Sequence, residues 1–298
     1  MLTYNNKAIK IGSGHVWISN TYIPPMTLRC VFTQAPSSNT SWTVRAVDAD
    51  NLIYDVTRAN TNWGKSFLNN VEKVIGQGDC STVTSVSGLF ADKKTLTSVC
   101  NLSFPACTSL TNLFSKCQNL NTVGSISVTS AVTETNGMFY GCNLLTSVPL
   151  FDTSSVTNMN SMFSKCTALT QVPLYNTSNV TNMYGMFYEC SNLESVPLFD
   201  TSSVTTFYKG SDRKGAFENC TSLKAVPLFN TSSATSTSRM FYGCTAVESG
   251  ALDLYNQAST QTTPPSSHSD MFTNCGSGTV SGSAELAQIP ASWGGTGA

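Results

Sequence analysis

The sequence predicts an α/β repeat solenoid, built of short parallel strands with short helical or 3₁₀ segments and preceded by a small N-terminal β module. Three observations predict it. A unit of about 24 residues is rewritten along most of the chain. Each unit carries apolar residues at fixed places, too few to form a core alone and enough to form one when units stack. The composition is the third: 11% of the 298 residues are charged, while Ser, Thr and Asn make up about a third, as expected of many turns whose short side chains bond back to the backbone.

The N-terminal module comes first and spans residues 1–70. The segments AIKIGSGHVWISN, MTLRCVFTQ and SWTVRAVDADNLIYDVT alternate apolar and polar residues between Gly, Pro and Asn breaks, which is the pattern of strands. The module is expected to cap the repeats, to attach the protein, or both. The opening MLTYNNKAIKIGSGHVWISN has neither an uninterrupted apolar stretch nor a small-residue cleavage site, so no secretory leader is expected in it.

The solenoid is expected over residues 71–298. MFYGCNLLTSVPLFDTSSVTN around Cys142 returns as MFSKCTALTQVPLYNTSNVTN around Cys166, then around Cys190 and Cys220. Copies at Cys117, Cys244 and Cys275 are weaker, and one near Lys93 has lysine in place of the cysteine. From Lys93 the steps are 24, 25, 24, 24, 30, 24 and 31 residues, within the leucine-rich-repeat range of roughly 20–29 once insertions are set aside. Those insertions, KGSDRKG and QASTQTTPPSSHS, are expected as loops.

Within a unit, L-x-x-V-P (Leu145 to Pro149, for example) reads as a short strand, ended or flanked by a proline that has no N–H to give. Asp152, Asn176, Asp200 and Asn230 open turns. Val156, Met159, Met162 and Phe163, at i, i+3, i+6 and i+7, read as one face of a short helix or 3₁₀ segment. At the C-terminus Trp293 is expected to cap the stack, ahead of a flexible Gly-rich end.

M-F-x-x-C-x-x-L-x-x-V-P-L-(F/Y)-(D/N)-T-S-x-V-T-x-M resembles the BspA-type leucine-rich repeat, the DUF285 repeat of mycoplasma and Bacteroides surface proteins. The resemblance covers roughly residues 80–290. It implies a solenoid and, for some members, adhesion. The openings IPPMTLRCVF and NTNWGKSF are similar to those of repeat proteins in phages of Bacteroides-type hosts.

Composition and motifs exclude several function classes. A net charge of −1 argues against nucleic-acid binding, which depends on Lys and Arg neutralising phosphates. No apolar run reaches the ~20 residues of a membrane span. Two histidines, His15 and His268, stand outside any nucleophile–base, zinc-protease or phosphate-loop motif, so no enzyme and no cofactor are expected. Cys117, Cys142, Cys166, Cys190, Cys220, Cys244 and Cys275 recur at one repeat position. They read first as small buried hydrophobes, then as a sterically conceivable disulfide ladder, and last as zinc ligands, for which no C-x₂₋₄-C pair occurs. The Asp/Asn column reads as turn capping ahead of calcium binding, so no metal is expected.

Binding is the remaining role. The middle of L-x-x-V varies along an invariant frame: Asn121, Thr146, Thr170 and Gln171, Glu194, Lys224. Tyr140, Tyr188 and Tyr242 follow the repeat phenylalanine and are candidate anchors. The function expected is a non-enzymatic phage virion protein (a decoration, fibre or tail component), assembled in the host cytoplasm in multiple copies. Its partners would be other virion proteins, or a host-surface protein or glycan. The alternatives are a bacterial cell-surface adhesin and an intracellular protein–protein scaffold.

Overall fold

The computed structural model describes residues 71–77, 80, 81 and 83–297, with backbone alone for 75–77 and for seven strands between residues 3 and 59. Its organising feature is a stack of rungs, one per repeat. Parallel bridges join one residue of each rung to the next, in the column Ser85, Ser109, Glu134, Asn158, Asn182, Thr206, Ser236 and Ser267. Beside it runs a threonine column. Thr157 N–H donates to Thr133 O at 3.0 Å, Thr181 N–H to Thr157 O at 2.9 Å, and Thr205 N–H to Thr181 O at 2.9 Å. The hydroxyl of each reaches the same carbonyl. This ladder lies in the V-T-N segment, one part of the unit away from the L-x-x-V strand expected from sequence.

The helix expected over V-T-N-M-x-x-M-F does not form. Donors alternate in direction there. Gly137, Phe139 and Gly141 give their N–H to Asn160, Met162 and Ser164 of the next rung at 2.8–2.9 Å, while Met138, Tyr140 and Cys142 bond three residues back within their own rung at 3.0–3.1 Å. Two left-handed residues in most rungs accompany the alternation. One precedes M-F (Asn112, Gly137, Ser161, Gly185, Arg239) and one precedes the cysteine (Lys116, Gly141, Lys165, Glu189, Asn219, Gly243). A non-glycine residue there costs about 1–2 kcal/mol, and the cross-rung bonds it enables return about 1 kcal/mol each.

The core is a set of columns. Phe90, Phe114, Phe139, Phe163, Phe187, Phe217, Phe241 and Phe272 stack with neighbouring centroids 5.0–6.2 Å apart. The methionines of the motif and the leucine of C-x-x-L (Leu120, Leu145, Leu169, Leu193, Leu223) are buried with them. The Asx turns form: Asp152, Asn176, Asp200 and Asn230 each accept the N–H of the residue two ahead at 2.9–3.1 Å. The buried threonine that follows ties rungs together, Thr153, Thr177 and Thr201 each donating to the next rung's Asx carbonyl at 2.8 Å. The uncharged polar composition is thereby accounted for.

The L-x-x-V strand exists only near the N-terminal end, as β9 (Ser98–Val99) and β11 (Thr122–Val123). These join an eight-stranded sheet with β3 (Lys10–Gly12), β4 (His15–Trp17), β5 (Leu28–Thr33), β6 (Ser41–Val47), β7 (Ile53–Ala59) and β8 (Val71–Gln77), in the order β11-β9-β8-β5-β6-β7-β4-β3. A two-residue pair, Leu102–Ser103 with Ile126–Ser127, runs parallel beside it. The sheet therefore continues across the expected boundary at residue 70. In the four units that carry V-P, L-x-x-V forms no strand, only a single parallel bridge from Ala225 to Ser249 in the fourth. The reason is one atom. Cys100 N–H donates to Val74 O, and Gly124 N–H to Val99 O, both at 2.8 Å. Pro149, Pro173, Pro197 and Pro227 hold that position in the other units and have no N–H.

The C-terminal end is closed by α1 (Ala251–Ser259), α2 (Val280–Leu286) and a 3₁₀ turn, Ala291–Trp293. The second insertion thus begins inside α1 instead of being loop throughout. The Glu285 carboxylate accepts Gly250 and Leu252 N–H, at 3.2 and 3.1 Å, at the start of α1. Trp293 is buried, and its carbonyl accepts Phe272 N–H at 3.0 Å. The Gly-rich end is not loose: Gly295, Thr296 and Gly297 N–H groups bond back to Pro290, Leu286 and Ile289 at 2.8–3.1 Å.

Candidate recognition surface

The expected binding residues fall into two columns. Asn121, Thr146, Thr170, Gln171, Glu194 and Lys224 are all exposed, on the segment where Glu194 N–H reaches Thr170 O and Lys224 N–H reaches Glu194 O, both at 3.0 Å. Tyr140, Tyr188 and Tyr242 are half-buried on the turn before the cysteine. The buried cysteine and leucine of each rung separate the two columns along the chain.

The tyrosine column has partners that sequence reasoning missed. The first insertion folds as a hairpin of β13 (Tyr208–Lys209) and β14 (Lys214–Gly215). It brings the Lys214 ammonium 5.4 Å from the Tyr140 ring centre and 5.6 Å from that of Tyr188, two rungs apart. Lys209 lies 5.2 Å from the Tyr184 ring, and the Arg239 guanidinium 3.8 Å from that of Tyr242. Each such contact contributes about 0.5–1 kcal/mol at a surface. The only signal in sequence was the basic character of KGSDRKG; which rings it meets depends on the stacking.

Glu218 anchors the hairpin. Its buried carboxylate accepts Gly215 N–H at 2.9 Å and Arg239 Nε at 3.1 Å, with Arg239 Nη2 on its other oxygen. A Cβ on residue 215 would sit 1.9 Å from the Arg239 carbonyl oxygen, so only glycine admits this return. The Glu218 carboxylate raises the Arg239 pKa above its ordinary value. A hydrogen bond to Glu189, reinforced by burial, raises that of the Tyr188 hydroxyl and keeps it a donor. The face offers aromatic rings, cationic groups and hydroxyl donors, which suit recognition of polar or anionic groups.

The repeat cysteines, Cys117 through Cys275, are buried and free. The thiol of each from Cys117 to Cys244 donates to the phenylalanine carbonyl one rung earlier, at 2.8–3.1 Å. Burial pushes Cys117 and Cys166 up to about 12 and raises Cys142, Cys190, Cys220 and Cys275 well above the usual thiol range. A nucleophilic cysteine needs the reverse shift. Among the described residues no group of three or more His, Cys, Asp or Glu side chains is placed to hold a metal, and no helix is long and apolar enough to cross a membrane. His268 is stacked on Trp293 with ring centres 3.9 Å apart; His15 has no described side chain.

A third feature went unread in the sequence. Leu150, Leu174, Leu198 and Leu228, the leucines of V-P-L-(F/Y), point outward with 60%, 62%, 63% and 52% exposure. Each lies beside a buried aromatic (Phe151, Tyr175, Phe199, Phe229).

The family model described as "Mycoplasma protein of unknown function, DUF285" matches residues 61–172, 108–221 and 171–280. No curated protein matches. Among solved structures, a leucine-rich repeat protein from Eubacterium ventriosum is similar at 17% identity and a TM-score of 0.33, over 72% of this chain and 89% of that one, a likeness too distant to bear on function.

Proposed function

The chain belongs to the DUF285 family of BspA-like leucine-rich-repeat proteins, with matches from residue 61 to 280, and from that premise we propose that it is a non-enzymatic recognition protein whose rungs form a continuous solenoid. The observation that carries this reading is the tyrosine–cation face. Tyr140, Tyr184, Tyr188 and Tyr242 are held in place by Lys209, Lys214 and Arg239. Half-buried aromatics on a rigid frame make efficient anchors, because little side-chain freedom is lost on binding.

The ligand class this face suits is a protein or glycan surface bearing polar and anionic groups. The setting we propose is a virion decoration, fibre or tail component, with display on a bacterial surface as the alternative. Free thiols along the core support assembly in a reducing compartment. Two measurements test the reading. Fluorescent protein should co-sediment with intact Bacteroides-type cells, and Tyr188→Ala combined with Tyr242→Ala should reduce binding several-fold while the protein still unfolds cooperatively, with a stability loss of about 1–2 kcal/mol from the two lost ring–cation contacts. Mass spectrometry of purified phage particles should find the chain at fixed stoichiometry. Absence from both cells and particles sinks the proposal.

A further inference from the structure

We propose that the stripe Leu150, Leu174, Leu198 and Leu228 is a self-association face, on which a second copy of this chain packs antiparallel in a register centred between the Leu174 and Leu198 rungs. The stripe is bounded. One rung before it the equivalent position is Ser125, and one rung after it Leu252 is drawn into α1 and packed on the core. Within it the four leucines follow successive rungs, as the neighbouring ring contacts show: Phe151 to Tyr175 at 5.4 Å and Phe199 to Phe229 at 6.4 Å. At the ~4.8 Å rung spacing of a parallel ladder the stripe is about 14 Å long.

Area and periodicity favour a second copy as occupant. At the observed exposures each leucine offers roughly 100 Å², so the stripe offers roughly 400 Å² a side, as large as the biggest apolar patch on an ordinary monomer. With the flanking polar positions the pair would bury on the order of 1,200 Å², the lower bound for a specific interface. A straight row of leucines at rung spacing is matched along its whole length by another row at that spacing. Growth by adding rungs at the C-terminal end is opposed by α2 and Trp293, which lie over the last rung.

Charge selects the orientation. Two residues beyond each leucine stand Asp152, Asn176, Asp200 and Asn230, all exposed, and four residues before stand Thr146, Thr170, Glu194 and Lys224. With a two-fold axis running across the rungs, rung one of the stripe meets rung four of the other copy. Asp152 then faces the partner's Asn230, and Asn176 the partner's Asp200. Lys224 faces the partner's Thr146, and Glu194 the partner's Thr170. No pair carries like charges. A two-fold axis along the stack would instead set Glu194 against the partner's Asp200, twice, at the centre of the interface. The turn itself does not require the alternation Asp, Asn, Asp, Asn, since both residue types accept the same backbone N–H at 2.9–3.1 Å.

Sedimentation equilibrium of the full chain from about 1 µM to about 500 µM tests this. Wild type should show a monomer–dimer equilibrium with a micromolar constant. Leu174→Glu with Leu198→Glu should remain monomeric throughout at unchanged melting temperature. Asn176→Asp with Asn230→Asp keeps every turn capped but sets Asp against Asp across the interface, and should weaken association at least tenfold. A wild type that is monomeric at the highest concentration, or an all-Asp variant that dimerises as wild type does, overturns the proposal.

Discussion

The rungs near the N-terminal sheet and the four central rungs share a core and differ on one flank. In the former, Cys100 and Gly124 donate to the preceding rung, and β9 and β11 extend the sheet. In the latter a proline stands at that position, no strand is assigned there, and a leucine faces outward beside it. The comparison teaches that one missing N–H, repeated four times, separates a flank where the ladder runs on past L-x-x-V from a flank where it stops after single bonds such as Glu194 N–H to Thr170 O and an apolar side chain faces outward. The phenylalanine column runs through both: Phe114 in the first region and Phe163 in the second stack on both column neighbours at 5.3–5.8 Å, Phe163 also meeting Tyr175 at 6.1 Å.

The largest expected effect tests that continuity. Phe114→Ala and Phe163→Ala should each cost about 3–5 kcal/mol in urea unfolding, with little difference between them. A gap of more than about 2 kcal/mol would mean that the flank governs core stability after all.

Exchanging the flanks should have a smaller and unequal effect. Gly124→Pro removes the donor to Val99 and crowds a site where a Cβ would already lie 2.5 Å from Asn101 Oδ1, so a loss of about 3 kcal/mol is expected. Pro173→Ala forfeits only unfolded-state restriction, about 0.4–1 kcal/mol. Hydrogen exchange sharpens the contrast. The Gly124 amide should be protected in wild type and the new amide at 173 should exchange fast; protection at 173 would show that a strand was waiting for its donor.

The smallest effect concerns pH. The Ser154 backbone N–H and hydroxyl hold Asp152 below the ordinary carboxylate range, and the Ser202 hydroxyl and N–H do the same for Asp200. A depressed folded value means stability that is present above the unfolded value and is lost as pH falls through the folded one. Both groups are exposed, so the loss on acidification should be slight. Asp152→Asn with Asp200→Asn should flatten the acid side of the melting-temperature profile and leave neutral stability nearly unchanged, because Asn176 and Asn230 already cap identical turns.

Much of the core was legible in the sequence because its period is. The repeat phenylalanines from Phe90 to Phe272, the repeat cysteines and the leucine of C-x-x-L (Leu120, Leu145, Leu169, Leu193, Leu223) all lie in the buried columns. The path of the backbone was not. Val156, Met159, Met162 and Phe163 have the spacing of a helix face, and the two left-handed positions that replace the helix are filled by Lys, Glu, Ser, Arg, Asn and Gly in turn, without a glycine signature. Leu174 stands in the apolar run V-P-L-Y between the buried Val172 and Tyr175 and faces outward; which of these side chains meets the core depends on the path of the extended segment. At the tyrosine face, Tyr140, Tyr188 and Tyr242 were readable as a recurring position. Lys214 was not, because its placement between two rings depends on contacts across two rungs.

The cysteine column bears on how such a chain changes over generations. Each rung donates its thiol to the carbonyl of the rung before and offers its own phenylalanine carbonyl to the rung after. Every interior rung therefore has the same socket and the same plug. An unequal exchange between near-identical gene segments that removes 72 nucleotides would delete one whole rung and rejoin matching parts. Length is then a quantity that heredity can adjust in fixed steps, without a mismatched core at the seam.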